Sequence, residues 1–350
     1  MKQIVAVNFG SSFHLLDHIA PLAEILDIEL LVNEEIMLDL LKKYYPSTKF
    51  HYIPNLSLNF LANNYDALIS CNYWFPEDKI AFLEANNKDM KLIFCPHGNS
   101  DKGHGNPANI KLFEKQDVVF LYGDHMTDLL KKLDVFSKIK QHIVIGNYRL
   151  AFYKKHKKFY DKLLDEEVFS KIDRGNKTIL YAPTWKDNEN STSFFHFFEK
   201  IIKQLPQKYN LIIKIHPNLE AKNAPEFHRI YNEISAPNIL LLHQSPLIYP
   251  LLNNCDIYLG DFSSIGYDFL CFKRPMFFLD HLNRENLDNP SLYLFRCGHN
   301  IPKEHWDGIF NFIEEHLENS SRDVQSKIYE YAFGKEPSAG KIKKKILDNI

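Results

Sequence analysis

DIYLGDFSSIGYD, residues 256–268, opens as a strand and closes as a helix. Ile257 to Gly260 is a short apolar run that ends at Asp261. Two serines, Ser263 and Ser264, then open a helical segment from Ile265 to Phe272. A strand that passes through a serine turn into a helix is the repeating unit of a parallel sheet covered by helices. The same alternation extends in both directions. Downstream lies a strand at Met276 to Leu279, and upstream lie Ile239 to Leu242, Leu211 to Ile215 and Thr178 to Ala182. Before residue 150 the strand candidates are Ile4 to Asn8, Ile28 to Val32, Phe50 to Ile53, Ala67 to Ser70, Leu92 to Cys95, Val118 to Tyr122 and Ile143 to Ile145. Amphipathic segments such as Leu15 to Leu26 and Glu34 to Tyr44 separate them, with apolar residues at three- and four-residue spacing.

The pattern predicts an α/β fold of two Rossmann-like domains with parallel sheets facing across a cleft. Residues 1–150 form the first domain and 178–335 the second. The charged run 151–177 between them reads as a solvated linker helix with mixed ion pairs, and 336–350 as a C-terminal helix. Open parallel sheets bind ligands beyond the carboxyl ends of their strands, so motifs at strand ends are the ones to weigh.

Bulk properties narrow the function. Of 350 residues 45% are hydrophobic, and 42 basic residues stand against 44 acidic ones, a net charge of −2. Such a chain has no overall basic field with which to hold nucleic acid. The five cysteines (Cys71, Cys95, Cys255, Cys271 and Cys297) show no CxxC spacing and read as buried or free thiols, neither a disulfide frame nor a zinc site. The apolar run at the N-terminus, MKQIVAVNFG, is too short for a signal peptide. No window approaches the about 20 apolar residues of a membrane span. The expected location is the cytoplasm. The basic end KIKKKIL reads as a solvated face or as a contact with anionic lipid at the inner membrane surface.

Four strand-end motifs carry candidate chemistry. In FCPHGNSDKG, residues 94–103, His97 follows a strand and precedes glycines that let backbone approach a ligand. An imidazole there suits deprotonation of a hydroxyl, or it simply joins a polar loop. In LYAPTWKD, residues 180–187, Thr184 and Lys186 suit a phosphate and Trp185 suits a cleft wall; the plain alternative is a turn with a core tryptophan. His216, before Pro217, reads either as an imidazolium stabilising a leaving group or as a capping histidine. The hydroxyls of Ser263 and Ser264, with the free N–H groups of the helix start, suit an anion, or one serine is the N-cap.

Taken in order, these motifs resemble the CDP-glycerol glycerophosphotransferase family. His97, Gly98 and Lys102 match its His-Gly-Thr-Pro-Leu-Lys loop, and Tyr181 to Trp185 match its Tyr-Ala-Pro-Thr-Trp run. His216 and Pro217 match its His-Pro pair, and Asp261, Ser263, Ser264 and Asp268 match its Asp-Tyr-Ser-Ser segment with a following Asp. Gly146 and Arg149 fit a weaker Gly-x-x-Arg element. The resemblance implies a GT-B fold and transfer of a polyol phosphate, glycerol phosphate foremost, from a CDP-linked donor to a glycan, lipid-linked or polyol-phosphate hydroxyl, releasing CMP.

By matching position it implies His97 as general base and His216 at the donor pyrophosphate. It assigns Thr184, Lys186, Asp261, Ser263, Ser264 and Asp268 to the donor, with Gly98, Lys102, Arg149 and Trp185 secondary. It implies no metal and no cofactor beyond the donor. Asn99-Ser100-Asp101 stands where the family has Thr-Pro-Leu, and Phe262 where it has tyrosine. The family's long membrane-docking extension has no match, which suggests a soluble or weakly peripheral enzyme that acts on a capsule- or lipopolysaccharide-like surface glycan. Two rivals share the fold: a glycosyltransferase or epimerase using a UDP-, GDP- or CMP-sugar, and a non-catalytic nucleotide- or glycan-binding protein.

Overall fold

The computed structural model describes residues 3–74, 90–101, 108–187, 190–222, 236–242, 245–282, 292–318, 321–335 and 338–350, with isolated positions 82–85, 87, 225, 228, 229, 234 and 284. Lys102 and Gly103 lie outside the described residues.

Among the described residues the first sheet has seven strands: β1 (Ile4–Asn8), β2 (Glu29–Val32), β3 (Phe50–Tyr52), β4 (Ala67–Ser70), β5 (Lys91–Phe94), β6 (Val118–Leu121) and β7 (His142–Val144). The second has six: β8 (Lys177–Ala182), β9 (Tyr209–Lys214), β10 (Ile239–Leu242), β11 (Ile257–Gly260), β12 (Met276–Phe278) and β13 (His299–Asn300). Their orders are β3-β2-β1-β4-β5-β6-β7 and β10-β9-β8-β11-β12-β13, so both are doubly wound. The pairings are parallel throughout the described strands, for example Gly260 of β11 beside Ala182 of β8 and Ser70 of β4 beside Phe94 of β5. Strands β4, β6, β9 and β11 are buried along their whole length. Helices cover both faces of such a sheet, which is why these strands read as unbroken apolar runs. Strand β13 has two residues and no such run, and sequence patterning did not reveal it.

One apolar cluster continues from the first sheet across to the second, joining Ile93, Phe120 and Tyr148 to Tyr258, Phe269 and Phe278. Two further clusters cover the outer faces. The charged run departs from its expected form. It folds as two helices, Tyr148–Lys155 and Lys157–Glu167, and the first buries Tyr148, Arg149, Leu150, Phe152 and Tyr153. Apolar neighbours draw in the first turns of that helix, while Lys154 and Lys155 at its end stay exposed.

Helix Arg322–Phe333 packs against Asp124–Lys132 of the first half and against the turns Leu270–Phe272 and Leu294–Cys297 of the second. The last helix, Ala339–Leu347, buries Ile342 and Ile346 against Leu16–Leu26 and Tyr148–Lys155. Its apolar face is thereby occupied, and its lysines face outward. Among the described residues no helix is long and apolar enough to cross a membrane. The five cysteines are free thiols.

Candidate functional site

Each sheet reverses its strand order at one point, between β1 and β4 and between β8 and β11. Loops leaving the carboxyl ends of strands beside such a point diverge and open a crevice. The residues of interest leave from there.

From the first half, Cys95 extends β5 by donating its N–H to Ser70 O at 2.8 Å, and the chain then bends at Pro96 and His97. His97 is exposed to the cleft. Gly98 follows with φ of +134°, and a Cβ there would lie 2.8 Å from Ser264 Cβ. Only glycine allows that approach. The residues that depart from the family pattern fasten the loop. Asn99 is buried and donates to Ala332 O at 2.9 Å. Asp101 is also buried; it accepts the Tyr267 hydroxyl at 2.5 Å and the Leu294 N–H at 2.9 Å, and lies 3.2 Å from His125 Nε2.

From the second half, Thr184 leaves β8, His216 follows β9, and Ser263 and Ser264 follow β11. The fully buried Asp261 braces these loops: Oδ1 accepts the Thr184 N–H at 2.8 Å, and Oδ2 accepts the N–H and hydroxyl of Ser193 at 2.7 and 2.8 Å. Ser263 caps helix Ser264–Phe269, its Oγ accepting the Ile265 N–H. His216 Nδ1 accepts the Asn218 N–H at 3.1 Å. With Nδ1 accepting, the ring proton sits on Nε2 in this arrangement, which is the capping geometry that the sequence offered for His216.

His97, Thr184, His216, Ser263 and Ser264 form the polar wall of one cavity of about 200 Å³, with Gly98 and Trp185 beside them. Tyr73, Phe94, Phe113 and Leu129 make an apolar wall opposite. Trp185 is half-buried, its ring centroid 6.2 Å from that of His216. Lys186 is exposed and is not among the residues lining the cavity.

Three further expected site residues, Arg149, Asp268 and Asp261, are not among those lining the cavity. Arg149 is buried; its Nε donates to Asp17 Oδ2 at 2.9 Å and its Nη1 to Asp268 Oδ2 at 3.0 Å. Asp268 Oδ1 lies 2.7 Å from the Tyr249 hydroxyl. Burial works against the guanidinium charge, but the flanking carboxylates of Asp268 and Asp17 hold its pKa well above the ordinary value. Asp268 thus ties the second half to the first, and the donor-contact role expected of it is not where its carboxylate points. Asp261 likewise shapes the Thr184 loop from behind.

Sequence reading missed His14, His18 and Lys214. His14 lies in the turn Phe13–Leu15 and His18 one helical turn later, so both rings face the same side. Their centroids lie 6.1 and 6.3 Å from that of His97, and His14 is also 5.7 Å from His216. The Tyr122 hydroxyl donates to Pro96 O at 2.9 Å, which leaves its oxygen to accept from His18 Nδ1 at 3.1 Å. Burial, and then Arg149 and the other histidines, hold the His18 pKa well below the ordinary range. Lys214 is buried, donates to Ser245 O at 2.6 Å, and is pulled down to about 8 by desolvation. The available signals were the His-x-x-x-His spacing after β1 and a lone lysine at the carboxyl end of the apolar strand β9. Among the described residues no group of three or more His, Cys, Asp or Glu side chains is arranged to hold a metal ion.

The family described as CDP-glycerol:poly(glycerophosphate) glycerophosphotransferase matches residues 53–282. The teichoic acid glycerol-phosphate primase of Bacillus subtilis (strain 168) is 26% identical over 174 residues, 48% of this chain and 40% of the primase. The teichoic acid poly(glycerol phosphate) polymerase of Bacillus spizizenii is 23% identical over 260 residues, 68% of this chain and 62% of the polymerase. The matched stretch therefore spans less than two thirds of either relative. Among solved structures, a variant of the wall teichoic acid polymerase TagF soaked with CDPG aligns over 99% of this chain and 87% of its own, with 15% identity and a TM-score of 0.65. That likeness establishes the GT-B arrangement of the two sheets.

Proposed function

We propose a function from one premise: the chain belongs to the CDP-glycerol:poly(glycerophosphate) glycerophosphotransferase family. On this reading it transfers a polyol phosphate, glycerol phosphate foremost, from a CDP-linked donor to a hydroxyl of a glycan or polyol-phosphate acceptor. CMP is released, and the product is a teichoic-acid-like or capsule-like surface polymer. The observation that carries the reading is the convergence of His97 from one half with Thr184, His216, Ser263 and Ser264 from the other on a single cavity.

The chemistry follows from the placement. His97 takes the proton of the acceptor hydroxyl, whose oxygen attacks the phosphorus of the polyol phosphate. One O–P bond forms, and the bond from that phosphorus to the CMP oxygen breaks. CMP leaves with the electron pair, and the Nε2–H of His216 meets the charge that develops on it. The hydroxyls of Thr184, Ser263 and Ser264 hold the non-bridging oxygens, and Asp261 keeps the Thr184 loop in place. The reading keeps Lys186 as a donor-binding residue and Lys102 as a secondary one. The activated donor supplies the leaving group, so the reading includes no further cofactor. It assigns the chain to the cytoplasm, with the lysines of Ala339–Leu347 as the face that would meet anionic lipid.

A thermal-shift panel of CDP-glycerol, CDP-ribitol, CMP, UDP-sugars and GDP-sugars tests the donor. Ligand at a hundred times its dissociation constant adds about 2.7 kcal/mol to the folded state. A shift confined to cytidine nucleotides supports the reading. A shift with UDP- or GDP-sugars alone replaces it with a sugar-nucleotide glycosyltransferase.

A further inference from the structure

His14 lies outside residues 53–282, the stretch that the family match covers. The fold nevertheless brings it against two residues of the site, His97 and His216. Strand β1 ends at Asn8, and Gly10 turns the chain with φ of +72° while its N–H donates to Asn33 Oδ1 at 2.8 Å. The turn Phe13–Leu15 then carries the half-buried His14 ring up against the site. There it contacts both histidines of the proposed reaction, His97 at 6.1 Å and His216 at 5.7 Å between centroids. The neighbouring His18 has its Nδ1 engaged with Tyr122. His14 Nδ1, by contrast, is buried and has no hydrogen-bond partner within the protein. Buried polar nitrogens are almost always paired, so an unpaired one on a ring packed against both reactive histidines calls for a partner that the protein itself does not supply.

We propose that His14 is a further catalytic residue, its imidazole N–H donating to a non-bridging oxygen of the phosphoryl group as it passes from the His216 side to the His97 side. The inference rests on the transferase reading above. Burial, and then the charges of His97 and Lys214, pull the His14 pKa down to about 4, so the ring is neutral at neutral pH. Its contribution is therefore a fixed hydrogen bond to developing charge, with no proton transferred by His14 itself.

The test uses the full chain, the variants His14→Ala and His14→Gln, and CMP release from CDP-glycerol with glycerol, glycerol phosphate and N-acetylhexosamines as acceptors. Loss of one such donor lowers kcat by about 10²–10³-fold. His14→Ala is expected to show that loss with donor KM changed less than about threefold, since the bond strengthens in the transition state. His14→Gln, which restores an N–H, is expected to recover at least about tenfold of it. Wild-type kcat in His14→Ala, a loss entirely in KM, or no rescue by glutamine would overturn the role. A wild-type chain that neither binds CDP-glycerol nor releases CMP overturns the transferase reading, and the inference with it.

Discussion

Gly98 and Ser264 stand so close that a Cβ on the glycine would lie 2.8 Å from the serine Cβ and 2.9 Å from its Oγ. The loop carrying His97 thus rests directly on the residue proposed to hold the donor phosphate. At φ of +134° an alanine is strained whatever space it finds. Gly98→Ala should lower unfolding free energy by about 1–3 kcal/mol and push the loop off the serine. CMP release should fall by more than about tenfold, because small misplacements of a reacting group are costly. Urea unfolding and steady-state CMP release check both parts.

Arg149 and Asp268 supply the second prediction. Their ion pair is buried and joins the two halves, with Asp17 on the other side of the guanidinium. Removing one partner of a buried pair strands the other charge and costs about 3–5 kcal/mol. Arg149→Met should therefore lose stability on that scale. Asp268→Asn should lower stability while leaving donor KM nearly unchanged, because the carboxylate points to Arg149 and Tyr249. A large rise in donor KM for Asp268→Asn, without loss of stability, would return this residue to the donor site.

Stability should also depend on pH through His14. Its folded pKa of about 4 lies below the ordinary 6.5. Between these values the unfolded chain binds more protons than the folded one, so stability falls as pH drops from 6.5 toward 4 and is flat for this group above about pH 7. At pH 5 the single group accounts for about 2 kcal/mol. His281, drawn down to about 4 by burial and His196, adds a smaller contribution of the same sign because it is more exposed. Urea unfolding at pH 7 and pH 5 should show the loss, and His14→Gln should reduce it by about 2 kcal/mol.

Much of this is legible in the sequence alone. Strands such as Ala67–Ser70 and Ile257–Gly260 are buried on both faces, so their apolar runs stand out against the helices. The strand-end motifs were legible for the same reason, since the strand's carboxyl end fixes where His97, Thr184, His216 and Ser263 emerge. Direction was less legible than position. Asp261 and Asp268 sit in the matching segment, yet both carboxylates turn inward to brace loops and halves, which depends on partners 68 to 119 residues away. Arg149 began a charged run that patterning assigned to solvent, but two distant carboxylates and an apolar surround take it inside. His14 and His18 gained meaning only when the second sheet brought His216 opposite them.

The central claim is that the His97 loop and the His216 side act on one donor. CMP release from CDP-glycerol, measured for the wild-type chain, His97→Ala and His216→Ala at saturating donor, tests it most directly. The account predicts release by the wild type and a loss of about 10²–10⁴-fold in each variant with the fold retained. Wild-type rates in both variants, or release from UDP- and GDP-sugars in place of CDP-glycerol, would contradict it.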